Sequence, residues 1–396
     1  MPTRRALVIF LLAVALYFVA NQTQVGWVYI MVDLLLALLL AVWLFSVGVL
    51  RGVAIRRTFH GATPPLDDLS PPDFFEDDPV TVALAVSRAG LRPAFMLAGV
   101  DDCPFAPPAE RRQSFFVPLL HGRRPAQLEY ATTCDRRGIH TFPPVPLTSN
   151  GPVGLFRSRR RLAAPGELLV YPRYHPLNRF RLLENRGFTD RHALRVGHSS
   201  EVIGIREYRT GDSLRQIHWR STARAGRLVV KEFADQDHLS LTVVLDLSAG
   251  GSAGEGKYST FETAIRLAAS LGYYATHHNV PFRLAGHSEQ WQPPNIALSW
   301  WGVLHYLARV QNNGDRPLAQ VLRQLSPVPF AVVLVSRPEA AAIRELAALG
   351  NRGTDALAVF ITPDGSLPAT ALGLGSERLK IKTVSPHNWV EGLQAI

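Results

Sequence analysis

The sequence predicts a membrane helical hairpin, then a β-rich, sandwich-like domain, then an α/β domain with a mostly parallel sheet. Three observations predict this. Two apolar runs occupy the first 50 residues, each close to the ~20 residues that cross a bilayer core. From Val80 onward, short apolar alternations recur between Pro and Gly turns, the pattern of a β-rich domain. After about Leu239, continuous apolar strands alternate with helical stretches, as in a sheet covered on both faces.

The hairpin comes first. Ala6–Ala20 is wholly apolar and extends to a helix over about 6–23; a second helix is expected over about 27–50. Asp33 lies inside the second run, either near the headgroups or as an intramembrane carboxylate facing a partner. Trp27, Tyr29 and Trp43 suit interface belts. Arg4 and Arg5 before the first run also fit a signal peptide, but no small-residue cleavage site precedes a soluble stretch, and a second span follows at once. Arg4 and Arg5 flank the first span and Arg51, Arg56 and Arg57 the second, whereas the loop between them has no Lys or Arg. The positive-inside rule then puts both ends, and the soluble bulk, on the cytoplasmic side of the inner membrane.

The formal net charge is +10, which suits nucleic acid or an anionic membrane surface. No nucleic-acid-binding signature accompanies it, and the anchor favours juxtamembrane charge. Cys103 and Cys134 are the only cysteines. They cannot build a structural zinc site alone, and whether they pair is open.

The organisation expected is 1–58 for the hairpin, 59–200 for the β-rich domain, 201–237 for a joining segment and 238–396 for the α/β domain. In the β-rich part, strands are expected at Val80–Val86, Phe115–Leu120, Gln127–Thr133 and Leu168–Tyr171. In the α/β part, Leu239–Leu247, Phe282–Ala285, Phe330–Val335, Ala356–Ile361 and Leu379–Val384 read as strands. Tyr258–His278, Trp300–Val310, Pro317–Leu325 and Glu339–Leu349 read as helices. Ligands of such sheets bind beyond the strands' carboxyl ends, which points to the loop after Asp246.

The joining segment is the densest in polar motif residues. Thr210-Gly211-Asp212 reads as a turn, Ser213 as an N-cap, Gly226 as a helix stop and Leu228–Phe233 as a strand. That helix would set Leu214, Ile217 and Ser221 on one side and Arg220 and Arg224 on another. Two readings stand: a structural clasp with Trp219 packed between domains, or an Arg/His/Trp surface for a partner. The residues involved are Arg206, Tyr208, Gly211, Asp212, Arg215, His218, Trp219, Arg220, Arg224, Lys231 and Glu232.

The string from Arg206 through Gly211-Asp212, Arg215, Ile217, Trp219 and Ala223-Arg224 to Leu228-x-Val230-Lys231-Glu232 resembles the signature of the domain-of-unknown-function 58 family. Arg137-Gly138 and Gly151-Pro152-Val153-Gly154-Leu155-Phe156 resemble further landmarks, with Asn150 to Val153 departing mildly from the usual acidic-Pro-Phe run. The resemblance implies a membrane hairpin, a β-rich domain and a von Willebrand factor A-like domain. As partners it implies a MoxR-type AAA+ ATPase and a transglutaminase-like membrane protein. It implies no established reaction.

Von Willebrand A-like domains hold Mg²⁺ with oxygen ligands. Here Asp246 and Ser248 match the first two ligand positions, Gly250 replaces the next serine, and Ser336-Arg337-Pro338 offers a cation where an aspartate is wanted. A degenerate site without a working metal, and no other cofactor, is expected. Gly251 to Tyr258 nearly spells a phosphate-binding loop, but Tyr258 stands where its hydroxyl residue belongs. The 13 histidines show no metalloprotease spacing, and no nucleophile elbow exists. The function expected is a membrane-anchored scaffold or adaptor. The alternative is an enzyme, nucleotide-binding or hydrolytic, using the 251–259 loop or the central Arg/His/Asp cluster.

Overall fold

The computed structural model describes residues 1–61, 74–90, 93–121, 124–184, 202–208, 217–233, 240–287, 298–326 and 328–395. The chain divides into two compact units, Met1–Val170 and Tyr171–Ile396. The sequence placed a boundary near residue 200. The division falls earlier because Leu177 and Phe180 are buried in the core of the second unit.

The first unit opens with the hairpin. Helix α1 spans Arg4–Thr23 and α2 spans Gly26–Ser46. Both are apolar almost throughout, and both are long enough to cross a membrane. Their large side chains face outward: Leu7, Phe18, Leu34 and Phe45 are all more than half exposed, the reverse of a soluble core helix. The second helix ends at Ser46 rather than near Leu50, and a turn over 47–52 feeds directly into a strand.

That strand is β1 (Val53–Gly61), followed by β2 (Phe74–Phe75), β3 (Pro79–Arg88), β4 (Ala94–Asp102), β5 (Arg112–Leu120), β6 (Ala126–Thr133), β7 (Gly138–Thr141), β8 (Val145–Ser149), β9 (Ser158–Leu162) and β10 (Glu167–Tyr171). They form sheets ordered β1-β3-β6, β2-β10-β7 and β5-β4-β8-β9. Alternate residues of β3, Val80, Val82, Leu84 and Val86, point into one core shared by the sheets, as a period of two requires. Cys103 and Cys134 are buried there as free thiols, and burial pushes the Cys103 thiol up to about 12.

The same core contains a buried ion pair. The Arg57 Nε donates to Asp101 Oδ1 at 3.1 Å and its Nη1 to the Ala164 carbonyl at 2.6 Å. The Tyr130 hydroxyl donates to Asp101 Oδ2 at 2.7 Å, and the guanidinium lies 4.5 Å from the Phe142 ring centroid. Arg57 is therefore not a membrane-flanking charge. β1 alternates buried and exposed from Val53, and that register turns Arg57 inward and Arg56 outward.

The second unit begins with a short helix, α3 (Arg181–Glu184). Next come β11 (Val202–Glu207), α4 (Trp219–Ala225) and β12 (Val229–Phe233). The rest is β13 (Leu241–Leu245), α5 (Thr260–His277), β14 (Phe282–Ala285), α6 (Trp300–Arg309), α7 (Leu318–Gln324), β15 (Phe330–Val335), α8 (Ala340–Asn351), β16 (Asp355–Ile361), β17 (Leu379–Val384) and α9 (Trp389–Gln394). Five strands make one sheet, ordered β14-β13-β15-β16-β17, with each neighbouring pair parallel. This is a doubly wound order. Successive residues of β15 alternate between two cores. Phe330, Val332 and Leu334 pack with α5, α6 and α9 residues such as Leu271, Leu307 and Leu393. Ala331, Val333 and Val335 pack with Leu322 of α7 and Leu346 of α8.

Candidate functional site

The central segment is a two-stranded hairpin carrying a short helix. β11 and β12 pair antiparallel, with Ile205 opposite Lys231 and Glu207 opposite Val229. Ile217 bridges to Val230, and Ile217, Val229 and Val230 are buried. The His218 amide donates to the Val229 carbonyl at 2.8 Å. Its ring Nδ1 accepts from the Ser221 amide at 3.1 Å, so His218 is the N-cap of α4. The Thr222 hydroxyl accepts from the Val229 amide at 3.0 Å, tying the helix to β12. Gly226 ends the helix with φ +63°, a conformation glycine adopts without steric cost.

This arrangement corrects the sequence reading in two places. The helix starts at Trp219, capped by His218, and Ile217 lies before it in a backbone bridge. Trp219, expected as a packed residue, is 67% exposed. The reason is the cap. His218 fixes the start of a seven-residue helix that buries none of its residues, so Trp219, Arg220 and Arg224 all face outward. Tyr208 is half-buried and its amide bonds the Leu228 carbonyl at 2.9 Å. Arg227 pairs with Glu207, both exposed. Arg206 and Glu232 sit in the paired strands β11 and β12, and Lys231 is half-buried in β12. Gly211, Asp212, Ser213, Leu214 and Arg215 lie outside the described residues.

The second candidate place is the carboxyl end of β13. Asp246 is buried, and burial holds its carboxyl above the usual carboxylate range. The Ser248 hydroxyl donates to Asp246 Oδ1 at 2.7 Å. The Arg337 guanidinium contacts the Gly250 carbonyl at 3.4 Å and lies 3.8 Å from Glu339. Gly251 lies so close that a Cβ there would stand 2.7 Å from Ser248 Oγ. A hard divalent cation takes six or more oxygen ligands. This loop offers one carboxylate already bonded to the serine beside it, and an arginine stands over the loop. Among the described residues no group of three or more His, Cys, Asp or Glu could hold a metal.

The glycine-rich loop leads into α5 through a capped helix start. Such loops bind anions through free amides at a helix start. Here the Thr260 amide donates to the Ala253 carbonyl at 2.8 Å, the Phe261 amide to Ser252 Oγ at 3.4 Å and the Glu262 amide to Ser259 Oγ at 3.2 Å. Ser259, the hydroxyl nearest the place a P-loop uses for Mg²⁺, is spent as the cap of α5. Tyr258 stacks on His387 with ring centroids 5.0 Å apart.

A third place was missed by sequence reasoning. The segment Asn150–Phe156 docks on the base of the hairpin. The Thr3 amide donates to the Leu155 carbonyl and the Arg157 amide to the Met1 carbonyl, at 2.9 and 2.8 Å. Thr3 caps α1, and Leu155 is buried with Ala6, Leu39 and Val42 of the two helices. The resemblance noted at Gly151–Phe156 was the available signal, but nothing in its composition says that it seats the helices. Beside it lie Arg157, Arg159 and Arg160, all exposed.

Comparison with known proteins gives a family match that begins in the central segment and runs on into the α/β part. The family model described as "Protein of unknown function DUF58" matches residues 204–297, a range that includes α4 and β12 through β14. The chain is 25% identical over 152 residues to "Uncharacterized protein YeaD" of Bacillus subtilis (strain 168), covering 38% of this chain and 36% of that protein. Among solved structures, the SpRpn10 VWA domain aligns over 40% of this chain and 95% of its own, at 13% identity and a TM-score of 0.30. A GH20 exo β-N-acetylglucosaminidase from Vibrio harveyi aligns over 79% of this chain and 57% of its own, at 6% identity and a TM-score of 0.22. Scores this low carry no argument about function. The sequence matches relate the chain to the DUF58 family.

Proposed function

We propose that this chain is a membrane-anchored scaffold or adaptor whose soluble units face the cytoplasm and bind a protein partner through the α4 surface. One observation carries the reading: Trp219, 67% exposed, stands beside exposed Arg220 and Arg224 on a helix that buries nothing of its own. Trp and Arg are the residue types most enriched at interface hot spots, and an outward Trp on a stable hairpin serves no packing purpose. The outward apolar faces of α1 and α2 support the anchor, and the arginines at one end of the hairpin support the inward orientation. The partner the family resemblance names first is a MoxR-type AAA+ ATPase, with a transglutaminase-like membrane protein as the second. We further infer that the Asp246 loop works without a tightly bound cation.

The test has two arms. A reporter active only outside the cytoplasm, fused after Ile396, stays silent; strong activity overturns the orientation. Arg220→Ala with Arg224→Ala leaves melting unchanged and abolishes recovery of the ATPase with the tagged full chain from native membranes. Unchanged recovery removes α4 from the interface.

A further inference from the structure

The base of the hairpin concentrates positive charge from segments far apart in sequence. A recess of about 640 Å³ is lined by Arg4, Arg5, Arg157 and Arg159, with Asn150 and Met96 beside them. A second recess of about 350 Å³ shares Arg157 and Arg159 and adds Arg51 and Arg160. All six arginines are exposed, and neither recess is lined by a carboxylate. Among the described residues none of the six forms an ion pair. Instead they are steadied by neutral acceptors: Arg157 Nε donates to Asn150 Oδ1 at 3.0 Å and Arg160 Nη1 to the Leu50 carbonyl at 3.2 Å. Guanidiniums set side by side repel one another unless an anion joins them, and their planar forks match phosphate oxygens.

The location identifies the anion. Arg4 opens α1, and Arg51 lies in the turn that follows α2, so the recesses lie at the depth where a spanning hairpin leaves the hydrocarbon. Val47 and Val153, both about half exposed, adjoin the Gly48 and Gly154 linings and offer apolar contact beside the charges. Resting on the membrane reading above, we propose that these arginines form a binding site for the phosphodiester headgroup of an anionic phospholipid. Bound there, the lipid would bridge the Arg157–Arg160 strand to both helix ends and fix the first unit against the bilayer.

The full chain in nanodiscs tests this. Spin-labelled phosphatidylglycerol and spin-labelled phosphatidylcholine are compared for the fraction of label immobilised by the protein. The site predicts a preference of about tenfold for phosphatidylglycerol, equal to about 1.4 kcal/mol. Arg157→Gln with Arg159→Gln should bring it within about twofold, since each surface cation contributes about 1 kcal/mol, while Arg157→Lys with Arg159→Lys keeps most of it. Should the glutamine pair fail to fold, Arg51→Gln with Arg159→Gln takes its place. No preference in a chain that spans the disc overturns the lipid site and leaves the anchor standing. A chain that alkaline carbonate strips from membranes overturns the anchor itself. A preference unchanged by both glutamine pairs puts the site elsewhere. Displacement of the labelled lipid by millimolar inorganic phosphate shows a free-phosphate site and overturns the lipid assignment.

Discussion

The two units handle charge in opposite ways. The first buries an ion pair in its core: the Arg57 and Asp101 side chains have no solvent exposure. The second keeps charge out of its central strands and places it at their ends. β13 and β15 are buried along their whole length, and Asp246 and Arg337 follow just beyond them. A buried pair demands that every partner stay in place, whereas a lone buried carboxyl at a strand end, such as Asp246, can give up its charge by holding a proton. The comparison teaches where each unit is brittle.

The largest effect is expected in the first unit. Asp101→Ala would leave the Arg57 guanidinium in an apolar core beside the Ala164 carbonyl and the Phe142 ring, and would take the carboxylate acceptor from the Tyr130 hydroxyl. Removing one partner of a buried pair costs about 3–5 kcal/mol. Denaturant unfolding of the full chain in detergent measures it, following the first unit's transition. A loss under about 1 kcal/mol would show that water reaches the pair and would erase the contrast between the units.

Legibility follows the same divide. Phe330–Val335 is a strand with the bounds that its unbroken apolar run predicts, because a strand covered on both faces declares itself by composition alone, and the edge strands Phe282–Ala285 and Leu379–Val384 keep their expected bounds although Arg283, Lys380 and Lys382 interrupt them. β1 and β4 were not read as strands. β1 carries Arg57, read as a membrane-flanking charge, on its buried face, and β4 carries the buried Asp101, so the pair interrupts the apolar alternation of both strands. The basic cluster at the hairpin base was half legible. Arg4, Arg5 and Arg51 are local to the spans, but Arg157, Arg159 and Arg160 arrive through a fold that joins residue 3 to residue 155. At the central segment, composition singled out Trp219 and mistook its direction. Whether Trp219 points in or out depends on where the helix begins, and a histidine cap is a weak signal beside Ser213.

Asp246 gives a smaller effect that sharpens the contrast. Its folded carboxyl titrates above 3.8, the value of the unburied group, chiefly because burial disfavours the charged form. The folded state therefore holds the proton more tightly than the unfolded one, and stability falls as pH rises from about 3.8 through the folded value. Asp246→Asn removes that titration. The variant should gain stability relative to the parent at pH 7, and the gain should vanish near pH 4, as read from melting across that range. Mg²⁺ should raise the melting temperature of neither protein. A cation-dependent rise in the parent, lost in the variant, would mean that the loop rearranges into a metal site and that Asp246 is held ready for it.

The smallest effect is expected where the sequence promised one of the largest. Packed between domains, Trp219 truncated to alanine would cost about 3–5 kcal/mol, as core aromatics do. At 67% exposure the same change removes little buried area, and exposed substitutions stay within about 0.5 kcal/mol. The helix beneath it is held by His218 Nδ1, the Gly226 turn and the Thr222 bond to β12, none of which involves the indole. Trp219→Ala should therefore melt with the parent chain yet lose the complex, as the paired arginine change does, because an exposed Trp on a rigid frame is suited to contact across an interface. A loss above about 2 kcal/mol would mean that Trp219 is covered in the folded chain. The segment would then be a clasp within this chain, and the partner surface would have to be sought elsewhere. An unchanged melt with an unchanged complex would leave the outward indole without a role in binding and limit the interface to the arginines beside it.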